Sequence, residues 1–155
     1  MVSIYHSLLM LHLGRLLLNQ LEELGKSDEL WALGDLLAKI RDDHWRRPDI
    51  AVIKAEDAEP WKYVMPGHWP VLCVEIVSPP HQSVEELLDK CQLYHEQGVP
   101  HCGVLEPESR AAWMFDRGSE RLWIPSDGRL TAGTTDLALK PADLWCGLHD
   151  KRGKS

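Results

Sequence analysis

The feature that most constrains the fold is an apolar run over residues 71–77, interrupted by one charged residue, Glu75. Ser78 and two prolines end the run, and this pattern is typical of a central strand covered on both faces. Alternation along the strand puts Glu75 on the same face as Val71, Cys73 and Val77, with Leu72, Val74 and Ile76 on the other. Because an ionised carboxylate there costs several kcal/mol without a partner, Glu75 is either a site residue, one half of a structural salt bridge, or a carboxylate at a strand end near solvent.

Two helices are predicted from apolar periodicity and end signals. Leucines at spacings of three and four predict a helix over residues 3–25, with Gly25 as its C-terminal stop. A second helix is predicted to begin after Ser83, which forms a capping-box pattern with Glu86, and to end before Gly98. Its buried stripe is predicted to consist of Val84, Leu87, Leu88, Cys91 and Tyr94.

The rest of the chain predicts mainly strands. The predictions are one strand with a bulge or kink over residues 30–40, a strand at 50–53, an ordered loop at 61–70, a hairpin of 102–105 with 111–115, a strand pair of 121–124 with 129–130, and a final segment ending near Trp145. The order of helices and strands predicts an α/β fold, a mixed β-sheet flanked by helices.

Composition limits the class of protein. The length of 155 residues predicts one domain over residues 1–150, with a disordered tail at 151–155. The leucine-rich N-terminal run contains too many polar residues for a membrane span or a secretory signal. The four cysteines form no CxxC pair, so we expect them to be reduced and a zinc site to be absent. A cytoplasmic protein without a membrane partner is therefore predicted.

Asp49 is the residue that favours a site for Glu75. It follows Pro48 and opens another β-rich run, although a lone Pro-Asp is usually only a turn. Two carboxylates on adjacent strands could share one hard divalent cation, Mg²⁺ or Mn²⁺. Such a cation lowers the pKa of a bound water and neutralises charge on a phosphate.

If such a metal site hydrolyses phosphodiesters, as a nuclease does, it also needs a positively charged side chain near the scissile phosphate. In the usual motif a lysine stands two residues after the glutamate, and here that position is Val77. Lys90 is the candidate replacement, because helical spacing puts it beside Tyr94, from where its ammonium can reach the sheet. The alternative is a solvated surface lysine.

The net charge of −7 argues against a strong non-specific DNA binder, since such proteins usually carry a basic surface. A local basic patch could still meet a phosphate. The residues that cluster in sequence and could supply it are Arg41, Arg46, Arg47 and Lys54.

From about residue 30 to 145 the chain resembles the Uma-two (Uma2) family of restriction-endonuclease-like proteins, within the PD-(D/E)XK nuclease superfamily. The matching stretches are Arg47-Pro48-Asp49-Ile50-Ala51-Val52, Val74-Glu75-Ile76-Val77-Ser78-Pro79, Lys90-Cys91 with Tyr94, Gly98-Val99-Pro100, Glu106-Pro107-Glu108 and Gly128-Arg129-Leu130-Thr131. The resemblance implies a lysine that has moved from the strand to the following helix, as Lys90. It also implies that the backbone carbonyl of Ile76 completes a metal shell with Asp49 and Glu75.

Two departures from the family pattern bear on activity. Members commonly begin with a longer segment that holds a Tyr-Glu and Asp-Gly hairpin, whereas this chain starts almost at the first helix. We therefore expect an acidic residue and part of the sheet to be absent. The usual aromatic residue and aspartate after the Gly-Val motif are replaced by Gly103 and Glu106.

Two more residues could line the cleft or contact phosphate. His6 lies where the family helix often carries a histidine, and the alternative is a surface histidine at a fraying terminus. Arg47 directly precedes the Pro-Asp pair.

A homodimer is expected, because exposed tryptophans and leucines need cover and double-strand cutting suits two-fold symmetry.

Three functions remain compatible with these residues. The first is a Mg²⁺-dependent endonuclease acting on DNA, with Asp49, Glu75 and Lys90 as its catalytic residues. The second is a catalytically inactive module that keeps the nuclease fold for interaction or regulation. The third is a metal-dependent hydrolase of another phosphate ester, since a fold does not fix a function.

Overall fold

The computed structural model describes residues 3–36, 38–41, 44–58, 68–80, 82–118, 122–125, 127–146 and 148. The predicted tail at 151–155 and most of the predicted loop at 61–70 lie outside these residues. The helices are α1 (Ile4–Glu23), α2 (Val84–Gln97) and α3 (Pro141–Trp145). The strands are β1 (Leu30–Gly34), β2 (Ala38–Arg41), β3 (His44–Arg46), β4 (Ile50–Lys54), β5 (Leu72–Ile76), β6 (His101–Glu106), β7 (Ala111–Asp116), β8 (Leu122–Ile124), β9 (Leu130–Ala132) and β10 (Leu137–Leu139).

Six strands form one mixed sheet in the order β1-β4-β5-β6-β7-β8. β5 and β6 are parallel, with Glu75 beside Val104, and the other neighbours are antiparallel. α2 connects β5 to β6, as a parallel pair requires. The prediction of a mixed sheet flanked by helices is confirmed.

The sheet separates two apolar cores. On one face α1, α3 and the β9–β10 pair bury a core that includes Leu72, Val74 and Ile76. On the other face α2 packs against Cys73 and Val77. The predicted alternation along β5 is therefore confirmed from Leu72 onward. Val71, which precedes β5, packs on the α1 side instead of the side predicted for it.

The helix ends follow the predicted signals. The Ser3 side chain accepts from the His6 amide at the start of α1, and Gly25 has a φ of 68° just after its end. Ser83 and Glu86 form the capping box of α2 in both directions. Gly98 adopts a left-handed φ of 113° that favours glycine. These local signals fix where both helices begin and end.

Two strand predictions are wrong. Residues 30–40 do not form one kinked strand: β1 ends at Gly34, because β4, its partner, begins opposite it at Ile50. Asp35, with a φ of 53°, turns the chain out of the sheet, and β2 pairs with β3 in a separate ribbon. The prediction missed β3 altogether.

The predicted pairing of 121–124 with 129–130 is also wrong. β8 adds to the edge of the large sheet beside β7, while β9 pairs with β10. The reason is apolar burial, since Ala132 and Leu137 join the α1-side core and draw β9 and β10 onto that face. The hairpin of 102–105 with 111–115 is confirmed as β6 and β7.

In the described part of the chain, no helix combines the length and apolarity needed to cross a bilayer. The four cysteines are all free thiols, and only Cys146 among them is exposed. Burial raises the pKa of the Cys73 thiol well above its ordinary value, so this thiol stays protonated as part of the core. The predicted cytoplasmic location stays a prediction.

Candidate active site

Glu75 occupies the buried end of β5 and is only 2% exposed. Its Oε1 accepts a hydrogen bond from the Tyr94 hydroxyl at 2.7 Å and lies 2.8 Å from the Lys90 Nζ. Lys90 and Tyr94 are four residues apart on α2, so one helix face brings both donors to the same oxygen. Both contacts end on Oε1 and leave Oε2 to other partners.

The environment makes ionisation of Glu75 unfavourable. Burial raises its pKa from 4.5 to about 7; Lys90 opposes that rise and the nearby charge of Asp49 adds to it. A second carboxylate close enough to raise this pKa means that negative charge is concentrated at this end of the sheet. Such a pair gains from any cation that reaches it.

Asp49 reaches the same place from the turn before β4. Its Oδ2 accepts a hydrogen bond of 2.7 Å from the backbone N–H of Ile76, the residue after Glu75. The antiparallel pairing of β4 with β5, with Ile50 opposite Val74, brings the start of one strand to the end of the other. The carboxylate of Asp49 keeps 22% exposure, so it forms the solvent side of the site.

His6 joins this group from the first turn of α1. Its Nε2 lies 3.1 Å from Asp49 Oδ1, and the residue is only 4% exposed. Its Nδ1 is buried without a hydrogen-bond partner among the residues that the structure describes. The amide of Ser3 also donates to Ser78 Oγ, which ties the start of α1 to the end of β5. The surface-histidine alternative is therefore wrong, because α1 docks through its first turn.

The predicted basic residues do not form one patch. Arg47 is exposed beside Asp49 and lies 3.3 Å from the Asp35 carboxylate. Lys54 lies at the far end of β4, on the order of 13 Å from its start at a strand rise of ~3.3 Å per residue. The side chain of Arg41 lies outside what the structure describes. Arg47, two residues before Asp49, is thus the exposed member of the predicted patch that lies nearest the site in sequence.

Tyr94 is the site residue that sequence reasoning missed. The stripe pattern predicts it as core packing only, and it is indeed 2% exposed. Burial and the neighbouring Glu75 raise the pKa of its phenol, so the hydroxyl stays protonated and donates to the carboxylate. The available signal was its spacing of four residues from Lys90, together with the rule that a buried tyrosine hydroxyl needs a partner.

Gly103 and Glu106, the two residues that replace the family's aromatic residue and aspartate, have structural roles. Glu106 turns its carboxylate back on the following turn, where it accepts from the amides of Glu108 and Ser109 and from the Ser109 hydroxyl. Gly103 lies in the centre of β6, where an added Cβ would meet Met114 and Val74 side chains at ordinary contact distance. Neither residue contributes a side chain to the Asp49–Glu75 group.

The chemistry of the donors bears on which metal could fit. No group of three or more histidine, cysteine or acidic side chains arranged for a metal is present in the described ranges. The pair of carboxylates, with raised pKa at Glu75, suits a hard cation such as Mg²⁺, which typically binds one or two carboxylates and keeps several waters. The same pair does not suit a closed zinc site, which needs nitrogen or sulfur ligands.

Comparison with known proteins bears on the family and the fold of this chain. The model of the family Uma2, described as "Putative restriction endonuclease", matches residues 2–145. A crystal structure described as a putative nuclease belonging to DUF820 from Anabaena variabilis is similar in fold, with a TM-score of 0.80 and 18% sequence identity. The likeness covers 96% of this chain and 84% of that one. No curated protein matches the chain.

Proposed function

Because the chain belongs to the Uma2 family, we propose that it is a Mg²⁺-dependent endonuclease that hydrolyses phosphodiester bonds in DNA. The nuclease-like fold supports the reaction class. Within that class, DNA as substrate and Mg²⁺ or Mn²⁺ as cofactor are the parts that the proposal adds.

The single observation that carries the proposal is the buried carboxylate of Glu75 with Lys90 on one oxygen and Asp49 close by. Burial of a carboxylate at a pKa of about 7 lowers the stability of the folded chain at neutral pH. Clusters with pKa values shifted by burial and by like charge are enriched at functional sites. The cost is explained if the carboxylate is there to bind a cation.

Each residue has a defined role in this proposal. Asp49 and Glu75 would hold the cation, with the backbone carbonyl of Ile76 completing its shell. The cation, when bound, neutralises charge on the scissile phosphate and lowers the pKa of a bound water. Lys90 orients the attacking water or stabilises negative charge in the transition state. The Lys90 side chain is 22% exposed, and its Nζ contacts Glu75.

Two further residues position the carboxylates. Tyr94 holds Oε1 of Glu75, and His6 holds Oδ1 of Asp49. Arg47, exposed beside Asp49, is placed to contact a neighbouring phosphate, a role that suits its charge and planar donors.

The test is a nicking assay on supercoiled plasmid with Mg²⁺ or Mn²⁺. Glu75→Gln and Lys90→Met should abolish cleavage while the chain stays folded. Matched controls are Glu56→Gln and Lys54→Met, exposed residues at the end of β4 that lies away from Asp49. Equal cleavage by wild type and Glu75→Gln would refute the site, whichever nucleic acid is cut.

The second candidate function is a catalytically inactive module with the nuclease fold. The observation that favours it is the net charge of −7, which opposes binding to a polyanion. This candidate predicts no cleavage by any variant with either metal. If instead a small phosphodiester such as bis-p-nitrophenyl phosphate is cleaved but plasmid is not, another phosphate ester is the substrate.

A further inference from the structure

The outer face of α1 carries large apolar side chains, although it points to solvent. The inner face buries Leu9, Leu13, Leu17 and Leu21 against the sheet. The opposite face carries four large apolar side chains, which we call the outer stripe: Ile4 at 79% exposure, Leu8 at 42%, Leu11 at 71% and Leu18 at 54%. A surface helix normally has a polar outer face, and a helix that is apolar all round is normally buried.

Exposed apolar residues are concentrated on this helix. Of the seven large apolar side chains exposed in the described residues, four form the outer stripe and a fifth, Leu24, directly follows α1. A contiguous apolar groove continues the stripe between α1 and β1, lined by Met10, Gly14 and Leu33 among others. A contiguous exposed apolar patch of this kind marks an interaction surface.

We propose that the outer stripe is the interface of a homodimer in which two α1 helices pack antiparallel about a two-fold axis through Leu11. The dimer does not depend on the proposed cleavage of DNA. In this dimer a second copy of the chain covers the outer stripe, with its α1 in the register fixed by Leu11.

The spacing of the stripe is self-complementary in this register. Leu11 faces Leu11 of the second copy, and Ile4 faces Leu18, since each lies seven residues from Leu11. Leu8, three residues before the centre, faces Gly14, three residues after it. An added Cβ at Gly14 would meet only the Ile50 side chain, at 3.9 Å. That position thus leaves room for the leucine, as an isologous interface requires.

Charge favours the antiparallel arrangement over the parallel one. A parallel pair in register would put Arg15 against Arg15 and Glu22 against Glu22, and like charges facing each other are destabilising. In the antiparallel register Arg15 faces Ser7, and Glu22 and Glu23 lie beyond the contact. The same helix has a single basic residue and the chain has a net charge of −7. A lipid surface, which favours helices rich in lysine and arginine, is therefore a poorer occupant than a second copy.

The register also fixes the distance between the two candidate sites. His6, which contacts Asp49, lies five residues from the axis at Leu11. At a rise of 1.5 Å per residue the two His6 positions are about 15 Å apart along the helix axes. If the proposed nuclease function holds, the dimer presents two sites on neighbouring edges, as cutting of both strands of a duplex requires.

The first test is the oligomeric state by analytical ultracentrifugation. The wild-type chain should sediment as a dimer and Leu11→Glu as a monomer, because the variant brings two carboxylates together on the axis. Trp123→Glu, on the opposite edge of the sheet and 61% exposed, is the control and should stay dimeric. Circular dichroism should show all three folded. A monomeric wild type, or a dimeric Leu11→Glu, overturns the proposal.

The second test fixes the register by oxidative cross-linking in a Cys146→Ser background, which removes the exposed native thiol. Leu11→Cys should link to itself, while Ile4→Cys and Leu18→Cys should link to each other in a mixture but not alone. Trp123→Cys is the control and should not link. The register is overturned if Leu11→Cys does not link to itself while Ile4→Cys, tested alone, or Trp123→Cys does link. Neither test depends on DNA cleavage, so failure of the dimer and failure of the nuclease function are distinguishable.

Discussion

The two faces of the central sheet are built from the same strands but follow different rules. The α1 face buries apolar side chains of β5, among them Val74 and Ile76. The α2 face buries cysteines. Near the C-terminal end of β5 it also buries the carboxylate of Glu75 with its partners Lys90 and Tyr94. One five-residue strand therefore supplies packing to one layer and chemistry to the other.

The difference shows where the chain accepts a loss of stability. The β5 side chains on the α1 side, Leu72, Val74 and Ile76, need no partner beyond close packing. On the α2 side a carboxylate is buried at a pKa of about 7, and two donors from α2 are needed to hold it. The site opens where the layers meet, because Asp49 before β4 and His6 from α1 reach the same edge.

The largest effect is expected from a cavity on the α1 face. Leu13→Ala should lower the free energy of unfolding by about 2–5 kcal/mol, since Leu13 is 1% exposed and belongs to the α1-side core. Urea denaturation followed by circular dichroism measures the change. Leu24→Ala, at 40% exposure just after α1, is the control and should cost less than about 1 kcal/mol. A similar loss for both variants would contradict the assignment of the α1 face as the packing layer.

The second largest effect concerns Glu75 and pH. The folded pKa of about 7 exceeds the ordinary 4.5, so the folded chain binds more protons than the unfolded chain between these values. Stability must therefore fall as pH rises from about 4.5 to 7. Relative to Glu75→Gln, the wild type should lose roughly 3 kcal/mol over this range, at ~1.4 kcal/mol per pKa unit.

Thermal or urea unfolding at a series of pH values measures this difference. Glu56→Gln, an exposed glutamate, should track the wild type throughout. If the curves of stability against pH for wild type and Glu75→Gln are parallel, burial of this carboxylate does not lower the stability of the α2 face. Added Mg²⁺ should recover part of the loss at high pH if the cation binds the folded site.

Much of this comparison could be predicted from sequence, for reasons that are local. The alternation along β5 and the two helices depend on period and caps, and each of these is encoded within a few residues. Glu75 was conspicuous because an apolar strand has no ordinary use for a carboxylate. Lys90 was identified through the family resemblance, and helix geometry alone did not separate it from a surface lysine.

The parts that the sequence left open or missed depend on contacts between distant segments. His6 and Asp49 are 43 residues apart (49 − 6), and their contact requires α1 to dock on the edge of β4. The pairing of β9 with β10 was set by burial on the α1 face, which local turn signals at residues 127–128 do not report. Tyr94 was predicted as a packing residue because its hydroxyl partner lies on another element.

A smaller effect is expected at Tyr94. Tyr94→Phe keeps the packed ring but removes the donor to Glu75 Oε1, and a hydrogen bond to a charged group is worth about 1.5–3 kcal/mol. Because the bond favours ionised Glu75, the pKa of that carboxyl should rise further in the variant. The stability loss should therefore be larger at pH 8 than at pH 5.

Comparing unfolding of Tyr94→Phe at the two pH values tests this, with Tyr94→Leu as the variant that also loses packing. A loss for Tyr94→Phe that is the same at both pH values would mean that the tyrosine serves the core alone. The α2 face would then resemble the α1 face at this position.

The smallest effect on stability is expected outside both layers, at Arg47. Arg47 and Asp35 are more than half exposed at 57% and 69%, so Arg47→Ser should change the free energy of unfolding by at most about 1 kcal/mol. If Arg47 contacts phosphate, the variant should weaken duplex DNA binding, and the slope of log affinity against log salt should fall by about one unit. Fluorescence anisotropy across a salt series measures this, with Asp35→Ser as the control that breaks the same ion pair but keeps the cation. A clear loss of stability without any change in DNA affinity would mean that this charge belongs to the fold. The expected result is weaker DNA binding with little change in stability. It would mean that Arg47 contacts the ligand and that neither apolar core depends on it.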